Sequence, residues 1–205
     1  MRNRKTLILI TAIMIIALCF SSCGINVQQG NTNKNNEKAE STKTEEAKEY
    51  VIPKVIIDSS GNTAKEFVEN YDGAEDQDDF CNKISANSDG TVTVLMTEEQ
   101  RKRWVDNAKE GIKEQKEKIK GIEGELVLSK DKTKGDFYFK QKSSSWTMIS
   151  ILTGVQLFSL LEQYFTGTKV EDLRFRTVVI NIDNGKVLSD TQLGDEADIS
   201  PEDWE

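Results

Sequence analysis

The sequence predicts an α+β domain: one small antiparallel sheet packed with two main helices, preceded by a signal peptide and a disordered spacer. Three observations carry this. Apolar residues recur at helical spacing in two long stretches, Glu98 to Lys120 and Trp146 to Phe165. Short alternating runs around them end in turn residues, and the Asn-Gly pair at Asn184-Gly185 is a strong hairpin signal. Length sets the scale: 205 residues hold a leader, a spacer and one domain of roughly 150 residues.

The leader comes first. Arg2, Arg4 and Lys5 give a positively charged start, and Leu7 to Phe20 is a charge-free, mostly aliphatic run of 14 residues. A membrane-spanning helix needs about 20 apolar residues to cross roughly 30 Å of hydrocarbon, so this run has the length of a secretory h-region. Phe20-Ser21-Ser22-Cys23-Gly24 closes it. That segment resembles the lipobox of bacterial lipoproteins. The resemblance implies cleavage between Ser22 and Cys23, with residues 1–22 removed, and a thioether-linked diacylglycerol on Cys23. Cys19 fits less well, because Ala17-Leu18 places a bulky side chain at the cut. Acyl chains contribute about 0.8 kcal/mol per buried methylene, enough for two chains on one residue to hold a protein on a bilayer. The expected address is the extracytoplasmic face of the cell membrane, and the alternative is an uncleaved signal anchor with Cys23 buried in it.

From Cys23 to Tyr50 the chain is polar, and between Asn31 and Glu49 only Ala39 and Ala47 are apolar. Nothing there offsets the entropy of ordering, so residues 23–50 are expected as a disordered spacer spanning roughly 25 to 30 Å root-mean-square. A helix over Glu37 to Lys48 would lack an apolar face and be marginal. The folded domain is expected over residues 51–193, followed by an acidic flexible tail over 194–205.

Within the domain, Val51 to Ile57 is apolar and interrupted by Pro53, which reads as an edge strand or a packed arm. Thr63 to Tyr71 reads as a short helix with Thr63 as N-cap, Glu66 three residues on, and Phe67 and Val68 inward. Asp72 to Asp79 gathers five acids into eight residues. A helix-loop-helix calcium site needs glycine at loop position six and glutamate at twelve, and this run has neither, so a solvated acidic loop is expected. Ser88-Asp89-Gly90 is a turn, Thr91 to Met96 a strand, and Thr97-Glu98-Glu99-Gln100 a capping box that starts the first long helix. Trp104, Ala108, Ile112, Ile119 and Ile122 form its narrow apolar stripe. Gly124 to Leu128 and Asp136 to Gln141 read as a hairpin, with Phe137 and Phe139 on one face and Tyr138 on the other. The stretch from Trp146 to Phe165 is apolar on nearly every side, which predicts a central core helix rather than a dimer interface. Leu173 to Ile182 and Lys186 to Leu188 form the last hairpin.

Composition narrows the chemistry. Histidine is absent, which removes the usual general base and the commonest zinc ligand. Cleavage would leave Cys81 as the one free thiol apart from Cys23, and without an activating partner it reads as a small, partly buried apolar residue. Taking Arg2, Arg4 and Lys5 from the 27 bases leaves 24 against 35 acids, about −11. That charge disfavours nucleic acid and attachment to anionic lipid through a basic surface. There is no glycine-rich phosphate loop, Gly-x-Ser-x-Gly elbow, Ser-x-x-Lys or Cys-x-x-Cys motif, and neither a metal nor a cofactor is called for.

The stretches DGTVTVLMTEEQRKRWVDNAKEGI, YFTGTKVEDL and RTVVINIDNGKVLSDTQL together resemble a group of small uncharacterised lipoproteins of Gram-positive bacteria. The likeness covers about Asp89 to Leu193 and implies lipoprotein status and an α+β fold, with no catalytic residues to transfer. The expected function is a non-enzymatic binding or interaction module on the outer face of the membrane, with an unidentified protein or envelope ligand. A carboxylate-dependent envelope enzyme is the alternative, for which Asp136, Asp172 and Asp183 are candidates near strand ends. A small solute-binding lipoprotein is a third reading, against which the chain's size argues. A deep aromatic pocket would favour a ligand binder, an exposed apolar patch on the Trp146 to Phe165 helix a protein partner, and adjacent buried carboxylates catalysis.

Overall fold

A computed structural model describes residues 46–71, 77–141, 143, 145–195, 199 and 201–204. The leader, Ser22, Cys23, nearly all of the spacer and residues 72–76 of the acidic run lie outside the described residues. The α+β class holds, but the strands divide into two sheets rather than one, and the second is mixed rather than antiparallel.

The first strand, β1 (Lys48–Ile52), starts inside the segment assigned to the spacer. Backbone pairing explains this: Lys48, Glu49 and Tyr50 face Met96, Leu95 and Val94 of β3 (Val92–Met96), and a ladder needs no apolar side chain. Pro53 then ends the strand, and Val55 to Ile57 enter α1 (Lys54–Ser59) instead of extending it. Burial overrides the strand preference of this β-branched run, since Ile56 and Ile57 are both buried in the core. As expected, α2 (Ala64–Tyr71) is capped by Thr63: its hydroxyl accepts from Glu66 N–H at 3.2 Å while Glu66 Oε2 accepts from Thr63 N–H at 2.8 Å. A single turn, α3 (Gln77–Phe80), precedes β2 (Lys83–Ala86). The first sheet runs β1-β3-β2, antiparallel throughout, so of the Val51 to Ile57 run expected as an edge strand or packed arm only Val51 and Ile52 lie on an edge strand.

The next helix, α4 (Glu98–Gly121), carries the expected capping box, with Thr97 and Gln100 bonded reciprocally. Its 24 residues span about 36 Å, and β3 feeds one end while β4 (Glu125–Leu128) leaves the other. That separation puts β3 and β4 in different sheets. The hairpin from β4 to β5 (Lys134–Phe139) is antiparallel as expected, with Phe137 and Phe139 buried. Then α5 (Ser145–Phe165) runs between β5 and β6 (Arg176–Asn181) as a crossover, and the two strands pair in parallel. A hairpin cannot join strands that have a long helix between them, which is why the all-antiparallel expectation fails. The last strand, β7 (Val187–Gln192), pairs with β6 through the Asn-Gly turn, where Gly185 has φ +74°.

The two long helices are antiparallel and close. Arg101 donates to Phe165 O near one end, and further along Gly111 lies under the Phe158 ring and Gly154 against Gln115. Trp104 is the hub of an aromatic group that includes Tyr71, Phe80 and Phe165, joining α2, α3, α4 and α5. Most of α5 is buried, as expected of a core helix, and no helix among the described residues is long and apolar enough to cross a membrane.

Candidate functional site

The three carboxylates considered for catalysis are not brought together. Asp172 is exposed on a 3-10 turn before β6 and Asp183 is exposed in the turn after it, with roughly 20 Å of strand between them. Asp136 lies mid-strand on the outer face of β5. Its neighbours there are set by register: Asp136, Val178 and Asp190 sit side by side on β5, β6 and β7. On the same outer face Glu125 of β4 stands opposite Tyr138, and Asp190, which sequence reasoning missed, lies two strands from Asp136. Asp136 and Asp190 each have their own cation, with Lys134 Nζ 2.8 Å from Asp136 Oδ1 and the Arg176 guanidinium gripping Asp190 at 2.7 and 2.5 Å. Arg176 holds the Asp190 carboxyl below its ordinary range. A general base working near neutral pH needs the opposite shift.

Cys81 is 1% exposed in the core, and burial, then the charge of Asp78, pushes its thiol up. It is the inert packing residue expected. In the described part of the acidic run, Asp79 pairs with Arg103 at 2.7 Å. Among the described residues no cluster of three or more His, Cys, Asp or Glu could hold a metal ion. Cys23 and Ser22 fall outside them.

A different place on the molecule has the form of a binding site. The parallel pair β5 and β6 presents its carboxyl ends where the crossover helix α5 begins, the position at which open α/β sheets usually take ligands. Here lies a groove of about 390 Å³. Gln141, Ser143 and Ser145 form its polar rim, Met148, Ile149 and Leu152 its apolar floor, and Ile199 and Trp204 of the C-terminal segment its far wall. Trp204 O accepts from Asn181 Nδ2, the last residue of β6, at 3.4 Å. Trp146 is 45% exposed and Ile149 54%. The first turn of α5 has no acidic residue to complement the positive end of its dipole.

A loose tail was expected over 194–205, of which residues 194, 195, 199 and 201–204 are described. Residues 201–204 form a 3-10 turn, and Ile199 and Trp204 pack partly against the core. A tryptophan in an otherwise acidic stretch was the one visible sign; the groove it meets depends on parallel pairing and left no local trace. No family model matches the chain, and neither a curated protein nor a solved structure is similar to it.

Proposed function

We propose that the chain is a membrane-anchored extracytoplasmic lipoprotein acting as a non-enzymatic interaction module, lipidated at Cys23, with the groove at the head of α5 as its contact site. The observation that carries this is the Leu7 to Phe20 run closed by Ser22-Cys23-Gly24, followed by a polar stretch ahead of the first described strand at Lys48. Anchor, polar spacer and folded domain in that order are the parts needed to hold a binding surface off a bilayer.

The exposed Trp146 and Ile149 support an interaction role over a catalytic one. So does the separation of Asp136, Asp172 and Asp183. Metabolic labelling with palmitate tests the anchor: the wild-type chain takes up label, Cys23→Ala does not, and mass spectrometry finds an acylated Cys23 at the N-terminus. An intact Met1 terminus, or an unmodified thiol at Cys23 in the wild-type chain, would count against the reading.

A further inference from the structure

We infer that the Asn184-Gly185 pair in the β6–β7 turn is a site of spontaneous, one-way covalent modification: the asparagine amide is lost through a cyclic imide, and the turn ends as aspartate or isoaspartate. The site needs neither the anchor nor the groove.

The reaction needs a side-chain amide, the next backbone nitrogen and water. The Gly185 nitrogen adds to Asn184 Cγ and gives up its proton, and Nδ2 takes up a proton and leaves as ammonia. The ring that results holds the Gly185 nitrogen between the Cγ and backbone carbonyl carbons of residue 184. Water then opens it. Attack at Cγ breaks the Cγ–N bond and leaves an ordinary aspartate. Attack at the backbone carbonyl breaks the peptide C–N bond and leaves isoaspartate, with the chain now running through the side chain. Either way one oxygen enters from water, one ammonia leaves, and nothing is oxidised or reduced.

The turn favours this step. Asn184 and Gly185 are both exposed, and glycine offers the attacking nitrogen with no side chain beside it. Asn184 Oδ1 accepts from Lys186 N–H at 2.9 Å. Negative charge gathers on that oxygen as the nitrogen adds, so a donor is already in place to stabilise it. The restraint is the Gly185 N–H, which donates to Asn181 O at 2.8 Å and must let go first. It lies in an exposed hairpin turn, where a backbone bond opens locally at little free energy. Gly185, at φ +74°, is free to take other angles when it does. Asn87 differs. Its follower Ser88 is small too, but Asn87 Nδ2, the nitrogen that would leave, is held by Thr91 Oγ1 and Thr93 Oγ1, both at 2.9 Å. Asn62 is buried, and Asn107 lies inside α4, where the following N–H is bonded along the helix. The isoaspartyl product adds a carbon to the backbone inside the turn that the Gly185 N–H to Asn181 O and Asn181 N–H to Lys186 O bonds close, so it loosens the end of β6.

The test incubates the folded full chain in detergent, in mildly alkaline buffer made with heavy-oxygen water, then digests it in ordinary water and maps the peptides by mass spectrometry. Isoaspartate is counted with an isoaspartyl methyltransferase and labelled S-adenosylmethionine. The expected result is that heavy oxygen enters at residue 184, as aspartate and isoaspartate together, at least about tenfold faster than at Asn87, a factor that corresponds to about 1.4 kcal/mol of barrier. Asn184→Gln, which would have to close a larger ring, keeps its amide while circular dichroism shows it folded. A product without the heavy oxygen, formed during digestion, overturns the inference. So does an Asn184 still intact in the folded chain after a free peptide of residues 180–188 has converted in the same buffer, or an Asn87 that reacts as fast.

Discussion

Gln115 carries two hydrogen-bonding atoms into the α4–α5 interface, where it is fully buried and, among the described residues, neither Nε2 nor Oε1 has a hydrogen-bond partner. A buried polar group left unpaired costs about 1–3 kcal/mol, whereas an apolar group of the same shape costs nothing of that kind. Gln115→Met is therefore expected to stabilise the protein by about 1 kcal/mol, read as a higher urea midpoint at unchanged slope. Cys81 makes the opposite case, an apolar use of a reactive group. With the thiol pushed up by burial, an aromatic disulfide reagent at pH 8 is expected to leave Cys81 unreacted in the native protein and modify it at once in denaturant. Asp190 sets a pH response. Its carboxyl is held below its unfolded value by Arg176, so its contribution is complete above about pH 3.9 and disappears as pH falls through the lower folded value. Asp190→Asn is expected to flatten the acid limb of the stability curve below about pH 4 and leave the neutral region's slope unchanged.

At the scale of elements, α4 was legible because its signals are local. Thr97 and Gln100 are three residues apart and bond each other, and Trp104, Ala108, Ile112 and Ile119 repeat on one face. Thr97→Ala is expected to cost about 1 kcal/mol by chemical denaturation, the usual worth of a side-chain cap. The start of α1 was not legible, since Val55-Ile56-Ile57 has the composition of a strand and only tertiary burial makes it helical. Packing between α4 and α5 was hidden as well: it turns on Gly111 and Gly154, each of which looks like a weakness within its own helix. A Cβ at Gly111 would stand 2.5 Å from the Phe158 ring. Gly111→Ala is thus expected to destabilise by about 1–3 kcal/mol through overpacking, even though alanine is the better helix former.

For the molecule as a whole, α+β was legible from element types, but the division into two sheets was not. It follows from the length of α4 and from α5 lying between β5 and β6, and both facts act only once the chain is assembled. The groove shares that origin, because it exists only where the carboxyl ends of β5 and β6 meet the head of the crossover helix. Asp136 and Asp190 likewise become neighbours through strand register, 54 positions apart in the chain. By contrast, Cys23 needed no fold to be noticed, since a leader is read as a linear sequence. One placement has a mechanical outcome. If Cys23 carries the proposed anchor, the pull enters the described fold through β1, an outer strand paired with β3 among the described residues and riveted to α5 where the Tyr164 hydroxyl donates to Val51 O at 2.7 Å. Under such an anchor, tension would peel the β1-β3-β2 sheet first, leaving the β4-β5-β6-β7 sheet and its groove assembled while the base yields.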